Sequence, residues 1–311
     1  MNYNVSMSKI CDVCPRNCNV NRATGLGFCG ASDTVKISKV MLHHYEEPTI
    51  SGEENSQRGS GAIFFSNCSL KCCYCQNSEI SSGGVGKEIS TTKLAEIFKK
   101  LEDAGAFNIN LVTPTHFTEQ IIKALDIYRP NIPVIWNTSG YEKPETIEKL
   151  KSYVDVYLTD FKYFDEKFST KYSSAKDYAK YCKSAILKMR ENQPEDVIID
   201  GFMKKGVIIR HLVLPTLTKD SEKIIEWIYE NLGNSTIISL MSQYVPMANA
   251  NKYPEINRKI TKLEYKILVN KLNKMGFKNV FVQEFDSASC TYTPDFSYND
   301  DVFDCWVFYI R

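Results

Sequence analysis

Three cysteines, Cys68, Cys72 and Cys75, stand in a C-x3-C-x2-C spacing with Tyr74 just before the last, in the run FFSNCSLKCCYCQNSEI. An apolar stretch from Ala62 to Phe65 leads into them, so the thiols sit in a loop that follows a short buried strand. Iron–sulfur clusters are held by cysteine thiolates, normally four. Three at tight spacing with no obvious fourth leave one iron with an open position, as catalytic zinc sites leave one position for substrate. Half of a zinc knuckle, buried core thiols and disulfide partners are the plainer readings. Zinc knuckles come as paired C-x2-C units. Core thiols do not sit among Ser66, Asn67, Ser69, Lys71, Gln76 and Asn77. Cys73 also lies two residues before Cys75, but its side chain should diverge from that of Cys72, and it is read as a packing residue.

A second group precedes it. Cys11, Cys14, Cys18 and Cys29 lie in CDVCPRNCNVNRATGLGFCG, with Gly25, Gly27 and Gly30 for the tight turns a small metal knuckle needs. Four thiolates complete tetrahedral zinc or an iron centre, and a metal is expected here, zinc and iron–sulfur both open. A redox-active Cys11–Cys14 pair or four buried thiols are the alternatives. In the following HHYEEPTISGEEN, His43, His44, Glu46 and Glu47 are read as a solvated edge rather than ligands. Cys182, Cys290 and Cys305 are read as ordinary buried thiols.

The bulk of the chain narrows the classes. Its 311 residues carry 38 Lys+Arg against 37 Asp+Glu, so net charge gives no footprint for nucleic acid or membrane. The N-terminal MNYNVSMSKI has no apolar signal core, and no run approaches the roughly 18 apolar residues of a spanning helix. Eleven cysteines, clustered, in a chain this long read as metal binding in a reducing cytoplasm rather than a secreted disulfide scaffold.

The elements that must position the thiols alternate strand and helix from Gly61 onward, which argues for a parallel sheet with helical crossovers. Strands are expected at Ala62–Ser66, Asn108–Val112, Pro133–Trp136, Val154–Leu158, Gly206–Ile209 and Thr236–Leu240, with a possible seventh at Asn279–Val282. Leu94, Ile97, Phe98 and Leu101 mark the first amphipathic helix, Gly233 stops a later one, and a last helix spans about Lys262 to Met275. Each strand ends in a polar cluster, the face where barrel active sites are built. The expected fold is α/β: a partial, open (β/α)6 TIM-type barrel over residues 59–311, with a small cysteine-rich extension over 1–58.

With these pieces the chain resembles a branch of the radical S-adenosylmethionine (SAM) superfamily, one similar to pyruvate formate-lyase activating enzyme with an added N-terminal cysteine segment. The likeness runs through CPRNC, GFCG, EEPTISG, CSLKCCYCQN, NINLVTPTH, WNTSGYE, LTDFKYFD, IIRHLVLP and SLMSQYVP. It implies that Cys68, Cys72 and Cys75 ligate a 4Fe–4S cluster and that Tyr74 packs near the adenine of SAM. Asp160 and Lys162 match an Asp-x-Lys that contacts SAM, with Lys162 counted among the catalytic groups beside the three cysteines. Asn137 and Thr138 fall near the SAM carboxylate, and Arg210 and His211 near the adenosine. Where activating enzymes show Gly-Gly-Glu for the methionine amine, this chain reads Thr113-Pro114-Thr115-His116. Those residues take that position, His116 there or near substrate, with helix capping equally compatible. The implied activity is reductive SAM cleavage to a 5′-deoxyadenosyl radical and hydrogen abstraction from a protein or peptide, with glycyl radical enzyme activation as the narrower reading. A flavodoxin- or ferredoxin-type protein would supply electrons. Radical peptide modification with an auxiliary metal site, and a non-catalytic zinc or iron–sulfur protein, are the competing functions.

Overall fold

The computed structural model describes residues 10–53, 57–283, 294 and 296. Cys290 and Cys305 lie outside them. In chain order the elements are β1 (Val35–His43), α1 (Pro48–Ser51), β2 (Ser60–Phe65), α2 (Ser78–Ser81), β3 (Lys87–Ile89), α3 (Thr91–Asp103), β4 (Ile109–Val112), α4 (Thr118–Ile127), β5 (Val134–Thr138) and α5 (Pro144–Lys149). They continue with β6 (Val156–Asp160), α6 (Glu166–Ser173), α7 (Tyr178–Asn192), β7 (Val197–Ile199), β8 (Phe202–Leu212), α8 (Thr218–Leu232), β9 (Ile237–Met241), α9 (Lys262–Met275) and β10 (Val280–Val282).

Strands β2, β4, β5, β6, β8 and β9 pair in parallel, each with the next, and β10 adds in parallel beyond β9. These are the six expected barrel strands and the seventh. The sheet ends at β10 on one side and β3 on the other and does not close, so this is a partial, open barrel. Its strands are flanked by helices, as parallel sheets require. Side chains alternate along each strand. Ile135, Val156, Leu158, Ile208 and Ile237 meet in one cluster inside the barrel, with Ile50 of α1 set against them. Trp136, Tyr157, Val207, Ile209 and Ile238 face the helices in the larger core.

The N-terminal third holds what composition concealed. β1 runs antiparallel to β2 from Ile37 to His43, and β3 pairs with the other edge of β1. Residues 35–43, grouped by composition with the cysteine segment, are therefore part of the barrel sheet. Between β6 and β7 the chain forms two helices, α6 and α7, separated where Ser174 adopts a left-handed cap. No sequence signal marked β3, β7 or the six-residue α5.

Helix α9 begins where expected because Thr261 and Glu264 form a reciprocal capping box: Glu264 N–H donates to Thr261 Oγ1, and Thr261 N–H donates to Glu264 Oε2 at 2.7 Å. Thr261→Ala should cost about 1 kcal/mol of stability, read as a lower midpoint in urea unfolding with an unchanged slope.

Candidate active site

The inward alternation fixes which polar residues face one another. On β6 the register that points Val156 and Leu158 inward also points Asp160 inward, and on β8 it does the same for Ile208 and Arg210. Asp160 and Arg210 are register partners on adjacent strands. Asn137 follows Ile135 on β5 in the same way. Arg210 then donates from Nε to Asp160 Oδ1 at 2.9 Å, from Nη1 to Glu46 Oε2 at 3.0 Å and from Nη2 to Asn137 Oδ1 at 2.6 Å. Lys162 Nζ donates to Asp160 Oδ2 at 2.6 Å. Glu46 Oε1 accepts from Asn110 and Asn137, both at 3.1 Å.

Burial would push the Asp160 carboxyl up, but the Arg210 guanidinium and Lys162 ammonium outweigh it and hold it below the usual carboxylate range. Burial opposes the charge of Arg210 too, and Asp160, Glu46 and Glu47 more than offset it. Glu47, next in the chain, is buried with Oε2 unpartnered, and burial pushes its carboxyl up.

Glu46, Asn137, Asp160, Lys162 and Arg210 form one side of a cavity of about 230 Å³. Cys68, Cys72 and Cys75 line the same cavity, with Tyr74 and Tyr244. Each sulfur accepts a hydrogen bond: Cys68 from Leu70 N–H at 3.4 Å, Cys72 from Ser173 Oγ at 3.1 Å and Cys75 from Ser81 Oγ at 3.3 Å. Donors aimed at sulfur are what metal-bound thiolates use. Among the described residues, no three His, Cys, Asp or Glu stand close enough to share one metal ion. Cysteines that each hold a different iron of one cluster need not. Three thiols on one loop, each accepting a hydrogen bond, suit the donor set of a cluster whose cysteines hold separate irons. Cys73 is not among the cavity residues and packs against the core, as a packing residue should.

Residues 62–228 match the model of the radical SAM superfamily, more than half the chain. The chain belongs to the radical SAM superfamily. Among curated proteins it is 36% identical over 263 residues to an uncharacterised protein from Methanocaldococcus jannaschii, covering 81% of this chain and 71% of that one. It is 26% identical over 215 residues to the pyruvate formate-lyase-activating enzyme of Clostridium pasteurianum, covering 66% of this chain and 81% of that enzyme. Solved structures with some likeness include Streptococcus suis SuiB bound to precursor peptide SuiA (TM-score 0.46, 12% identity, 71% of this chain) and methylornithine synthase PylB (TM-score 0.46, 11% identity, 67% of this chain). The chain spans 48% of the SuiB chain and 60% of the PylB chain. Radical SAM chemistry brings a 4Fe–4S cluster and SAM.

Of the residues expected to meet SAM, Tyr74, Thr113, Asn137, Thr138, Asp160, Lys162 and Arg210 line the cavity; Thr115, His116 and His211 do not. The reasons are local. Thr115 Oγ1 donates to the buried carboxylate of Glu142 at 2.7 Å, as do Trp136 Nε1 at 3.1 Å and Thr138 Oγ1 at 2.6 Å, so Thr138 reaches the rim with its hydroxyl already committed. His116 is buried with Nε2 against the Ser66 carbonyl at 2.7 Å. His211 falls between Arg210 and Leu212 and points to the helix side, where it meets the Phe161 carbonyl at 2.6 Å and Ser221 Oγ at 2.8 Å. Thr113, with φ of 60°, holds a left-handed backbone that glycine favours. Gly140 is likewise left-handed, and a side chain there would collide with the Asp160 carbonyl.

Glu46 is the residue the sequence reading missed, having been placed on a solvated edge; Glu47 and His43 are buried there as well. The EEPTISG stretch was the available signal. Hydropathy could not raise it, because only the turn after β1 carries Glu46 into the barrel mouth.

Burial lowers the imidazole pKa to about 3 for His116 and about 4 for His211. The unfolded chain, with histidines near 6.5, therefore takes up protons first on acidification. The stability these neutral rings allow is present above about pH 6.5 and is lost as the pH falls toward 4. Urea midpoints measured across that range should fall, and His211→Gln should flatten the slope.

Proposed function

We propose that this chain is a radical SAM enzyme acting on a protein or peptide, with activation of a glycyl radical enzyme as its specific reaction. The observation that carries the reading is the facing of three cluster-spaced thiols and the Asp160–Lys162–Arg210 charge group across one cavity. Similarity to the Clostridium pasteurianum activating enzyme supports the narrower assignment.

When bound, the cluster and SAM supply an electron and a 5′-deoxyadenosyl radical for hydrogen abstraction. The residues of the chain bind and orient. Cys68, Cys72 and Cys75 would hold three irons. Lys162 and Arg210 offer charge-assisted hydrogen bonds to the SAM carboxylate, and Asp160 accepts from its ammonium or ribose hydroxyls. Glu46 and Asn137 keep the guanidinium of Arg210 from turning away. Tyr74 and Tyr244, edge to face at 5.7 Å, give an apolar wall for the adenine. A flavodoxin- or ferredoxin-type protein is the proposed electron donor.

A second reading, radical peptide modification with an auxiliary metal centre, rests on the N-terminal thiols. Cys11, Cys14, Cys18 and Cys29 are all free, Cys14 and Cys29 are buried, and Cys18 and Cys29 receive backbone N–H bonds from Phe28 at 3.2 Å and Ala31 at 3.4 Å. As they stand, these thiols are not gathered tightly enough for one ion. Zinc or a second cluster would draw them in.

Protein purified without oxygen, given dithionite and SAM, should release 5′-deoxyadenosine. About four irons per chain fits the activating reading, and about eight the auxiliary-cluster one; zinc without iron would remove radical chemistry altogether. Cys72→Ala should abolish iron binding and cleavage together. Asp160→Ala should keep its iron and bind SAM at least tenfold more weakly, a loss of about 1.4 kcal/mol or more; unaltered SAM affinity would overturn the role given to Asp160.

A further inference from the structure

Arg16 lies between Cys14 and Cys18 in the N-terminal segment, yet its contacts are with the cluster loop. Its Nε donates to the Ser69 carbonyl at 2.8 Å and its Nη2 to the Ser173 carbonyl at 2.9 Å. Nη2 also reaches the Leu70 carbonyl at 3.5 Å, and Nη1 donates to the Ser174 carbonyl. Ser69 and Leu70 belong to the turn between Cys68 and Cys72; Ser173 and Ser174 end α6. One planar guanidinium therefore fastens the C-terminus of α6 to the cysteine loop. Phe28, 3.9 Å from the guanidinium carbon, and Tyr141, at 5.2 Å, hold it in place.

What α6 presents to that loop is a hydroxyl. Ser173 Oγ is 3.1 Å from Cys72 Sγ and 2.8 Å from the hydroxyl of Tyr163, which is 2.7 Å from the hydroxyl of Tyr74. All three hydroxyl residues are buried and each carries one proton. When Cys72 is a thiol that donates to Ser173, Tyr163 is free to donate to Tyr74. With Cys72 a thiolate on iron, sulfur accepts only, and the chain runs one way: Tyr74 to Tyr163, Tyr163 to Ser173, Ser173 to sulfur. Hydrogen bonds to ligand sulfur are among the factors that set iron–sulfur potentials. A donor stabilises the more electron-rich reduced form and so raises the potential.

We propose that the N-terminal cysteine segment sets the reduction potential of the cluster through Arg16, which holds Ser173 as the hydrogen-bond donor to Cys72 Sγ. Ser173 and Arg16 are thus positioning residues, and the proposal rests on Cys68, Cys72 and Cys75 holding the cluster.

The test is a redox titration of the reconstituted full chain, followed by the electron spin resonance of the reduced cluster. Ser173→Ala should keep its iron and move the midpoint potential to more negative values. Ser173→Thr, which retains the hydroxyl, should restore it. Arg16→Lys replaces a planar fork by a point donor that cannot meet the same carbonyls. It should shift the potential in the same direction, with no further shift in the double variant, because both changes remove one hydrogen bond. A Ser173→Ala protein with full iron and the unaltered potential would overturn the proposal, as would additive shifts in the double variant. Should Arg16→Lys fail to fold, the serine pair decides alone. Absence of iron from the unaltered chain would instead overturn the cluster reading beneath it.

Discussion

A guanidinium withdrawn from water must be met by carboxylates, and Arg210 is met by two, one from the middle of the barrel sheet and one from beside its edge. Asp160 comes from the neighbouring strand in register, while Glu46 comes from the turn after β1. Removing either would leave a buried charge short of a partner, so the charge group ties the open edge of the barrel to its middle. The cavity lies over that tie. Its floor is polar because the inward positions of β5, β6 and β8 turn from aliphatic to Asn137, Asp160 and Arg210 as the strands approach their C-terminal ends.

Beneath the rim another buried carboxylate organises the turns. Glu142 takes three hydrogen bonds on one oxygen, from Thr115, Trp136 and Thr138, and so fixes the ends of β4 and β5 relative to each other. Burial pushes its carboxyl up while the three donors pull it down. Two threonines that look like ligands in the sequence thereby have their hydroxyls on Glu142, while Asn137, Asp160, Lys162 and Arg210 line the cavity.

The cysteine-rich segment is seated on the barrel rather than tethered to it. Arg16 holds the cluster loop and α6, Arg22 donates to the carbonyls of His116 and Ser32, and Asn67 Nδ2 donates to the Cys29 carbonyl at 3.2 Å. Gly30, with φ of 86°, permits that approach, since a Cβ there would stand 2.8 Å from Asn67 Nδ2. The two groups of cysteines are thus parts of one packed unit in which the geometry of one constrains the other.

Local chemistry and periodicity in the chain determined the cysteine loop, the six parallel strands, the start of α9 at its capping box and the polar residues at the strand ends. Each depends on neighbours a few residues away, which is why it is legible without coordinates. What only the tertiary structure decided is which of those polar residues face inward and which distant groups join them. A shift of one position on a strand reverses its face, so Arg210 enters the cavity and His211 does not. Glu46 joins Arg210 across 164 residues of sequence separation. No periodicity records such a contact; it exists because β1 pairs with β2 and delivers its following turn to the barrel mouth.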